Sequence, residues 1–381
     1  MSGASVPRTG GILKRLFWLL NLLAGIGLLL SFVAAWVSPA SVWWLALFGL
    51  AFGTLYLVNF LFFLGWKLAH SRRYWFSLAL LLLGAGKLFG MYQFPFGGKD
   101  EPALADRNRS LKVMSFNVRL FNLYNWFHNQ ETRQAIFRYL ERSSPDIVCF
   151  QEYYQSDDPK ENYHNTDSIY RILNTTFAHV EYTVTLRETH HWGIATFSKY
   201  PIVRQQAVHF KKKGGNIFLL TDIRVGDDTL RVFNTHLESI RFRWEDYQFI
   251  RNLGNEEVEQ DEISGGLSIL RRLKRAFVKR ANQVEVLHDS IEHSPYPVIV
   301  CGDFNDTPSS YAVHILSDDL TDAFRESGRG IGKTYSGIFP SFRIDYIFHD
   351  RRLKSWNYDT YRDEPLSDHY PISCQLVLPH R

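Results

Sequence analysis

Cysteine is scarce in this chain: 381 residues hold three, Cys149, Cys301 and Cys374, each inside an apolar, strand-like run. An odd count without short spacing argues against a disulfide framework or a cysteine-built zinc site and fits small buried core residues. Excess charge of one sign is missing too. A formal net charge of +4 is too small to mark a nucleic-acid binder by itself. No internal repeat is evident. Charge is absent altogether between Arg15 and Lys67, although the chain as a whole is 22% charged. The apolar residues are therefore concentrated in one part of the chain.

That part is the N-terminal third. A bilayer core about 30 Å thick needs about 20 apolar residues in a helix. Residues 13–37 and 42–66 meet that length on either side of a Ser-Pro-Ala-Ser break, and residues 74–94 form a third candidate. Lys87 interrupts the third, close enough to its end to snorkel to the interface. Residues 1–94 thus read as a membrane anchor with three transmembrane helices, whose partner is the lipid bilayer. A cleaved signal peptide is the competing reading of the opening segment, but the segment is long for one and further apolar segments follow. Arg8, Lys14 and Arg15 precede the opening span, Lys67, Arg72 and Arg73 separate the second from the third, and the loop between the first two has no basic residue. The positive-inside rule then makes this a multi-pass protein with everything after Phe94 on the extracytoplasmic side.

Residues 95–110 are rich in proline, glycine and charge and read as a linker. From 111 to 379 the pattern changes to short apolar runs, at 112–117, 146–151, 193–198, 217–225, 230–236, 298–301, 343–348 and 372–377. Helical patterns lie between some of them, notably at 132–142 and 267–291. Elsewhere Gly214-Gly215 and Asp227-Asp228 mark hairpin turns joining consecutive strands. Strands mixed with helices and hairpins predict an α/β sandwich of mixed sheets rather than an all-parallel fold.

Polar residues stand at the ends of these strands. Asn117 closes Val113-Met114-Ser115-Phe116-Asn117, and Gln151-Glu152 follows Asp146-Ile147-Val148-Cys149-Phe150. Asn234-Thr235-His236-Leu237 ends a later strand, and Gly302-Asp303-Phe304-Asn305-Asp306 follows Val298-Ile299-Val300-Cys301. Asp345 lies in Arg343-Ile344-Asp345-Tyr346-Ile347, and Ser367-Asp368-His369-Tyr370-Pro371 precedes the last strand. Acids and amides supply hard oxygen donors suited to Mg2+ or Mn2+, here with isolated histidines among them, where thiolates and clustered histidines would suit zinc. Such an ion polarises a phosphate and its attacking water.

In this order the six motifs resemble the endonuclease/exonuclease/phosphatase superfamily, which includes deoxyribonucleases, inositol-polyphosphate 5-phosphatases and sphingomyelinases. The resemblance runs from about Leu111 to Leu378 and extends to Gly193-Ile194-Ala195-Thr196-Phe197-Ser198-Lys199-Tyr200-Pro201-Ile202. It implies a four-layered sandwich of two packed mixed sheets flanked by helices, and hydrolysis of phosphoesters with a divalent metal. By the same resemblance Glu152 is the principal metal ligand, helped by Asn117 and Asp368. Asp303 orients or deprotonates the attacking water, and Asn305 holds a phosphate oxygen. His369 contacts the scissile phosphate with Asp345 fixing its tautomer, and His236 is a second phosphate-side donor or acid. The His-Leu pair is shared with the deoxyribonuclease and sphingomyelinase branches and is not usual in abasic-site endonucleases.

Other features bear on the substrate. The 267–291 helix carries an apolar stripe, and its other side bears Arg271, Arg272, Lys274, Arg275, Lys279 and Arg280, a basic face for nucleic acid or anionic headgroups, or simply a solvated one. Lys211–Lys213 reads as a hairpin tip. The aromatic stretch from Ile240 to Ile250 is a substrate- or membrane-touching loop or packed structure, and the acidic run 256–262 is a loop. A phospholipid headgroup and a nucleic acid both fit as phosphoester substrate, and a non-catalytic module displayed on a membrane is the rival from another class.

Overall fold

The computed structural model describes residues 9–94, 109–210, 215–240, 260–337 and 343–378. Most of the expected linker, the Lys211–Lys213 tip, the aromatic stretch beyond Ile240 and the side chains of the acidic run lie outside the described residues.

The N-terminal third forms α1 (Thr9–Val33), α2 (Leu45–Leu50), α3 (Phe52–Leu68) and α4 (Tyr74–Leu88). Apolar side chains point outward along much of their length, as with Leu13, Leu23, Leu61 and Leu82. Polar groups inside hold the helices to one another: Asn21 donates to Ser77 Oγ at 3.0 Å and accepts from Trp66 Nε1 at 2.9 Å. Among the described residues only α1 has the length and composition to cross a membrane, over Gly11–Val33. The expected second span is broken at Ala51 into α2 and a 17-residue α3, and the third is a 15-residue α4. At 1.5 Å per residue both fall short of a 30 Å hydrocarbon core. The expectation of three spans is thereby corrected to one apolar helix long enough to cross, accompanied by shorter ones.

The rest of the described chain alternates strands and helices. It opens with β1 (Tyr92–Gln93), β2 (Ser110–Asn117), α5 (Thr132–Ser143), β3 (Ile147–Ser156) and α6 (Asn165–Leu173). Five strands follow: β4 (Phe177–Leu186), β5 (His190–Ser198), β6 (Ile202–His209), β7 (Ile217–Val225) and β8 (Asp228–His236). Next come α7 (Gln260–Glu292), β9 (Val298–Asp303), α8 (Tyr311–Asp319), β10 (Leu320–Asp322) and α9 (Ala323–Ser327). The chain closes with β11 (Gly330–Ile331), β12 (Asp345–Asp350), β13 (Lys354–Thr360) and β14 (Ile372–Val377).

Two six-stranded mixed sheets result, in the orders β13-β14-β2-β3-β5-β4 and β10-β12-β9-β8-β7-β6. Each has one parallel pair at its centre, β2–β3 and β8–β9, with antiparallel neighbours outside. The sheets pack face to face over Val113, Ile147, Val232, Ile299, Ile347 and Leu376. All three cysteines lie buried in this inter-sheet core as free thiols, as their apolar runs predict. The outer face of one sheet buries Phe116, Phe150 and Phe197 against Ile136 of α5 and Ile169 of α6. The other covers Phe233, Val300 and Phe348 with Val284 and Leu287 of α7 and Leu316 of α8. This is the α/β sandwich of two mixed sheets expected from the motif order. The turn between β7 and β8 falls on Gly226-Asp227, one residue earlier than the Asp-Asp pair suggests, because Val225 pairs with Asp228 and Gly226 takes φ +61°. The edge strands β4 and β13 carry no clear sequence signal, since half-exposed edges tolerate polar residues on both faces.

Candidate active site

The two central parallel pairs end together. Asn117 stands opposite Gln151 at the end of β2–β3, and His236 opposite Asp303 at the end of β8–β9. Asn117 Nδ2 then donates across the sandwich to Asp303 Oδ2 at 3.0 Å. Gly302 lets β9 lie close against β8, because a Cβ there would lie 2.1 Å from the Thr235 carbonyl oxygen. Beneath the cluster Gln151 Nε2 donates to Asn234 Oδ1 at 2.7 Å, and Asn234 Nδ2 donates to the Ala195 carbonyl at 2.9 Å. This buried amide pair ties the two sheets at the floor of the site.

Glu152 sits on a bulge, where the register of β3 against β5 shifts between Phe150 and Tyr153. Its φ of +49° is left-handed, a conformation costing on the order of 1–2 kcal/mol for a residue with a Cβ. Bulges of this kind re-aim a side chain, and here the carboxylate turns toward the site. It is held loosely, with Oε1 3.4 Å from Asn117 Nδ2 and 4.0 Å from His236 Nε2. Asn305 is also left-handed, at φ +52°, a region that asparagine tolerates. Its backbone N–H donates to Asp303 Oδ1 at 2.8 Å, and its Nδ2 donates to the Leu237 carbonyl at 3.1 Å.

Asp303 is almost wholly enclosed, and its Oδ2 faces His236 Nε2 at 3.5 Å and His369 Nε2 at 3.7 Å. His369 Nδ1 donates to Asp345 Oδ2 at 2.9 Å. Burial alone would lower the pKa of His369, but the carboxylates of Asp345, Asp303 and Asp368 outweigh it and raise the pKa well above its ordinary value. The surrounding carboxylates thus favour the protonated ring, whose Nε2 is turned toward Asp303 in the site. Burial pushes Asp345 above the usual carboxylate range while His369 pulls it back. Thr334 Oγ1 accepts from the backbone N–H groups of Ile344 and Asp345, and Tyr335 packs edge-on against the His369 ring.

Asp368 pairs with Arg119 Nη1 at 3.3 Å. Arg119 lies over Trp126 and Phe127 and opens a left-handed turn, Arg119 to Asn122. Its backbone N–H donates to Asn117 Oδ1 at 3.1 Å. The eight candidates Asn117, Glu152, His236, Asp303, Asn305, Asp345, Asp368 and His369 thus occupy one connected region.

The donor set suits a hard divalent cation. Asp303, Asp345 and His369 each bring a ligating atom within 4.8 Å of the others, yet His369 and Asp345 already engage each other. The Glu152 carboxylate, partly exposed and held by long contacts, has the most coordination capacity left. Asn117 presents its NH2 to the carboxylates and its oxygen to Arg119, so in this arrangement it orients Glu152 and Asp303, and ligation through its oxygen needs the amide turned over.

Behind the site lies a buried ionic cluster that strand-end motifs do not reveal. Arg280 of α7 donates through Nε to Asp306 Oδ2 at 3.0 Å and through Nη1 to the Glu238 carbonyl at 3.1 Å. Lys279 Nζ donates to Glu238 Oε1 at 2.8 Å, and Gln283 Oε1 accepts from the Glu238 backbone N–H at the same distance. Asp306 and Glu238 follow directly on Asn305 and on His236-Leu237, so α7 braces both loops. Part of the expected basic face is corrected accordingly, while Arg271 and Arg275 stay exposed. Arg280 is 1% exposed, Lys279 is ion-paired, and Lys274 lies over the Trp43 ring.

Two mixed sheets carrying a carboxylate, amide and histidine cluster on their strand ends define a sandwich class of phosphoester hydrolases. By sequence the chain belongs to the endonuclease/exonuclease/phosphatase family, whose profile matches residues 114–369. Residues 14–89 match a domain of unknown function, DUF8431. Comparison with curated protein sequences yields no match. Among solved structures the chain is similar to an endonuclease/exonuclease/phosphatase family protein from Bacteroides thetaiotaomicron, at 16% identity and TM-score 0.51 over 71% of this chain and 99% of that one. A mannosyl-6-phosphatase from the same organism aligns at 16% identity and TM-score 0.50 over 70% of this chain and 100% of that one. The human nocturnin catalytic domain with bound sulfate aligns at 18% identity and TM-score 0.50 over 71% of this chain and 94% of that one. These likenesses bear on the fold.

Proposed function

We propose that the chain is a membrane-tethered, divalent-metal-dependent phosphoester hydrolase. Residues 1–94 serve as the anchor, 95–110 as the linker and 111–379 as the catalytic domain, on the extracytoplasmic side. The reading rests above all on the meeting of Asp303 with Asn117, His236 and His369, four groups from four separate strand ends turned toward one point.

Glu152 would hold the cation, Mg2+ or Mn2+, with Asp368 and Asn117 beside it; when bound, the ion neutralises phosphate charge and polarises the reacting oxygen. Asp303, kept rigid by Asn305 N–H and Asn117 Nδ2, accepts a proton from the attacking water. The water oxygen bonds to phosphorus as the bond to the leaving alcohol oxygen breaks. His236, at the exposed side of Asp303, delivers a proton to that oxygen. His369 donates Nε2–H to a phosphate oxygen, and Asn305 helps hold the charge that grows on the phosphoryl group in the transition state.

Two alternatives are weaker. A nuclease draws on the His236-Leu237 pair and a basic α7, but Arg280, Lys279 and Lys274 are engaged within the protein. A binding module without catalysis does not account for a left-handed Glu152 turned toward Asn117 and His236 at the site. The test uses full-length protein in detergent with bis(p-nitrophenyl) phosphate, with Mg2+, Mn2+ or chelator, and an Asp303→Ala control. Metal-dependent release of nitrophenol, lost in the variant, supports the proposal. No hydrolysis of this diester, of bilayer phospholipid or of DNA with Mg2+, Mn2+ or Ca2+ overturns it in favour of the binding module.

A further inference from the structure

Every contact between the N-terminal helices and the catalytic domain falls at one end of the helices, as far as the described residues show. At that end the Trp36 ring meets His314 of α8 at 4.0 Å between centroids, and Ser38 Oγ donates to Glu285 of α7 at 3.2 Å. Gly49 and Gly90 sit so tightly on the domain that added Cβ atoms would lie 3.3 Å from Ser309 O and 2.9 Å from Pro308 Cβ. β1 pairs with β11, and Gly332 N–H donates to the Met91 carbonyl at 2.9 Å. The opposite end holds Lys14 and Arg73: Arg73 donates to the Lys14 carbonyl and lies over Trp18 and Trp66.

The two segments that rest on the helices are the ones that build the site. Residues 303–314 run from Asp303 and Asn305 to Pro308, Ser309 and His314. Residues 330–336 run from β11 and Gly332 to Thr334 and to Tyr335, which bridges to His369. Asn305 is three residues from Pro308, at most about 11 Å of extended chain. The headgroup layer on each side of a bilayer is roughly 5–8 Å deep beyond the hydrocarbon. α1 ends its apolar run at Val33, and Trp36, Trp43 and Trp44 follow immediately, the residue type that marks the membrane interface.

We propose that the N-terminal helices seat the catalytic loops at the level of the lipid headgroups of their own membrane, and that the substrate is a phosphoester carried by bilayer lipid. A tether of flexible residues alone would let the domain wander. The glycine-tight contacts at Pro308 and Ser309 hold it at one height. This inference rests on the hydrolase reading and narrows its substrate.

The experiment reconstitutes the full-length protein into vesicles of phosphatidylcholine, phosphatidylethanolamine and phosphatidylglycerol with Mg2+. It measures headgroup release from those lipids and, in the same vesicles, hydrolysis of bis(p-nitrophenyl) phosphate and of plasmid DNA. Two variants loosen the seat away from the reacting groups: Trp36→Ala at an exposed position, and Gly90→Val as a wedge against Pro308. Lipid turnover at least tenfold above that of DNA, falling at least fivefold in either variant while nitrophenyl ester hydrolysis stays within twofold, supports the proposal. Nitrophenyl ester or DNA cleavage without headgroup release overturns it and leaves the hydrolase reading standing. Headgroup release unchanged in both variants overturns the seating. Failure on all three substrates removes both readings together.

Discussion

Asp345 Oδ2 lies 2.9 Å from His369 Nδ1, in an enclosure that leaves neither side chain more than 7% exposed. The pair fixes the tautomer and holds the ring protonated, since three carboxylates outweigh the cost of burying the charge. The Asp345→Asn variant is expected to lower kcat by roughly 10²- to 10⁴-fold. It also removes the largest of the groups that raise the His369 pKa. Activity that needs the imidazolium is lost as pH rises through that pKa, so the alkaline limb of the pH–rate profile moves to lower pH in the variant. A limb that stays in place assigns it to another group.

Glu152 and Asp303 separate by metal titration. Glu152→Gln is expected to raise the Mg2+ concentration giving half-maximal activity at least tenfold, with partial recovery of kcat at saturation. Asp303→Asn is expected to lower kcat roughly 10²- to 10⁴-fold at every Mg2+ concentration. Identical metal curves for the two variants would contradict the division of roles.

Arg280 stabilises the loops behind the site rather than the chemistry. Arg280→Met leaves Asp306, already raised in pKa by burial, without its charge partner. Removing one member of a buried pair costs about 3–5 kcal/mol, a fall in Tm on the order of 10 °C for a domain of this size. Adding Asp306→Asn to the same chain should restore part of the loss, because the uncompensated charge is gone. Thermal melts of the full-length protein in detergent read both steps.

His179 gives an acid limit to stability. It is 2% exposed between the sheets, shares a 2.8 Å hydrogen bond with Thr221, and burial lowers its pKa to about 4. Below the unfolded value near 6.5 the unfolded chain takes up a proton that the folded chain refuses. Stability therefore falls by up to about 1.4 kcal/mol per pH unit between 6.5 and 4 and loses no more from this residue below that. His179→Gln is expected to flatten the Tm profile over that window; an unchanged slope would point to other groups.

The strands of the core and the order of the motifs at their ends could be read from sequence because both follow simple rules: apolar runs bury, and chemistry collects at strand ends. Asn117, Glu152 and Asp303 were visible on that ground. Arg280 and Glu238 were not, since an arginine on an amphipathic helix has the same sequence signature whether solvent or Asp306 receives it. The strain at Glu152 was equally hidden, because a glutamate carries no mark of a left-handed backbone. In the anchor, composition predicts apolar helices but not their breaks, and Ala51 divides the second segment without proline or charge to announce it.

The last strand also has a consequence for folding. β14 is inserted between β13 and β2, with Gln375 accepting from Ser110 across 265 residues of sequence. Until β14 docks, β2 lacks one of its two neighbours, so the sheet that carries Asn117 closes only when residues far apart in the chain meet. Such pairing is slow, because loop-closure entropy is lost before the contact repays it.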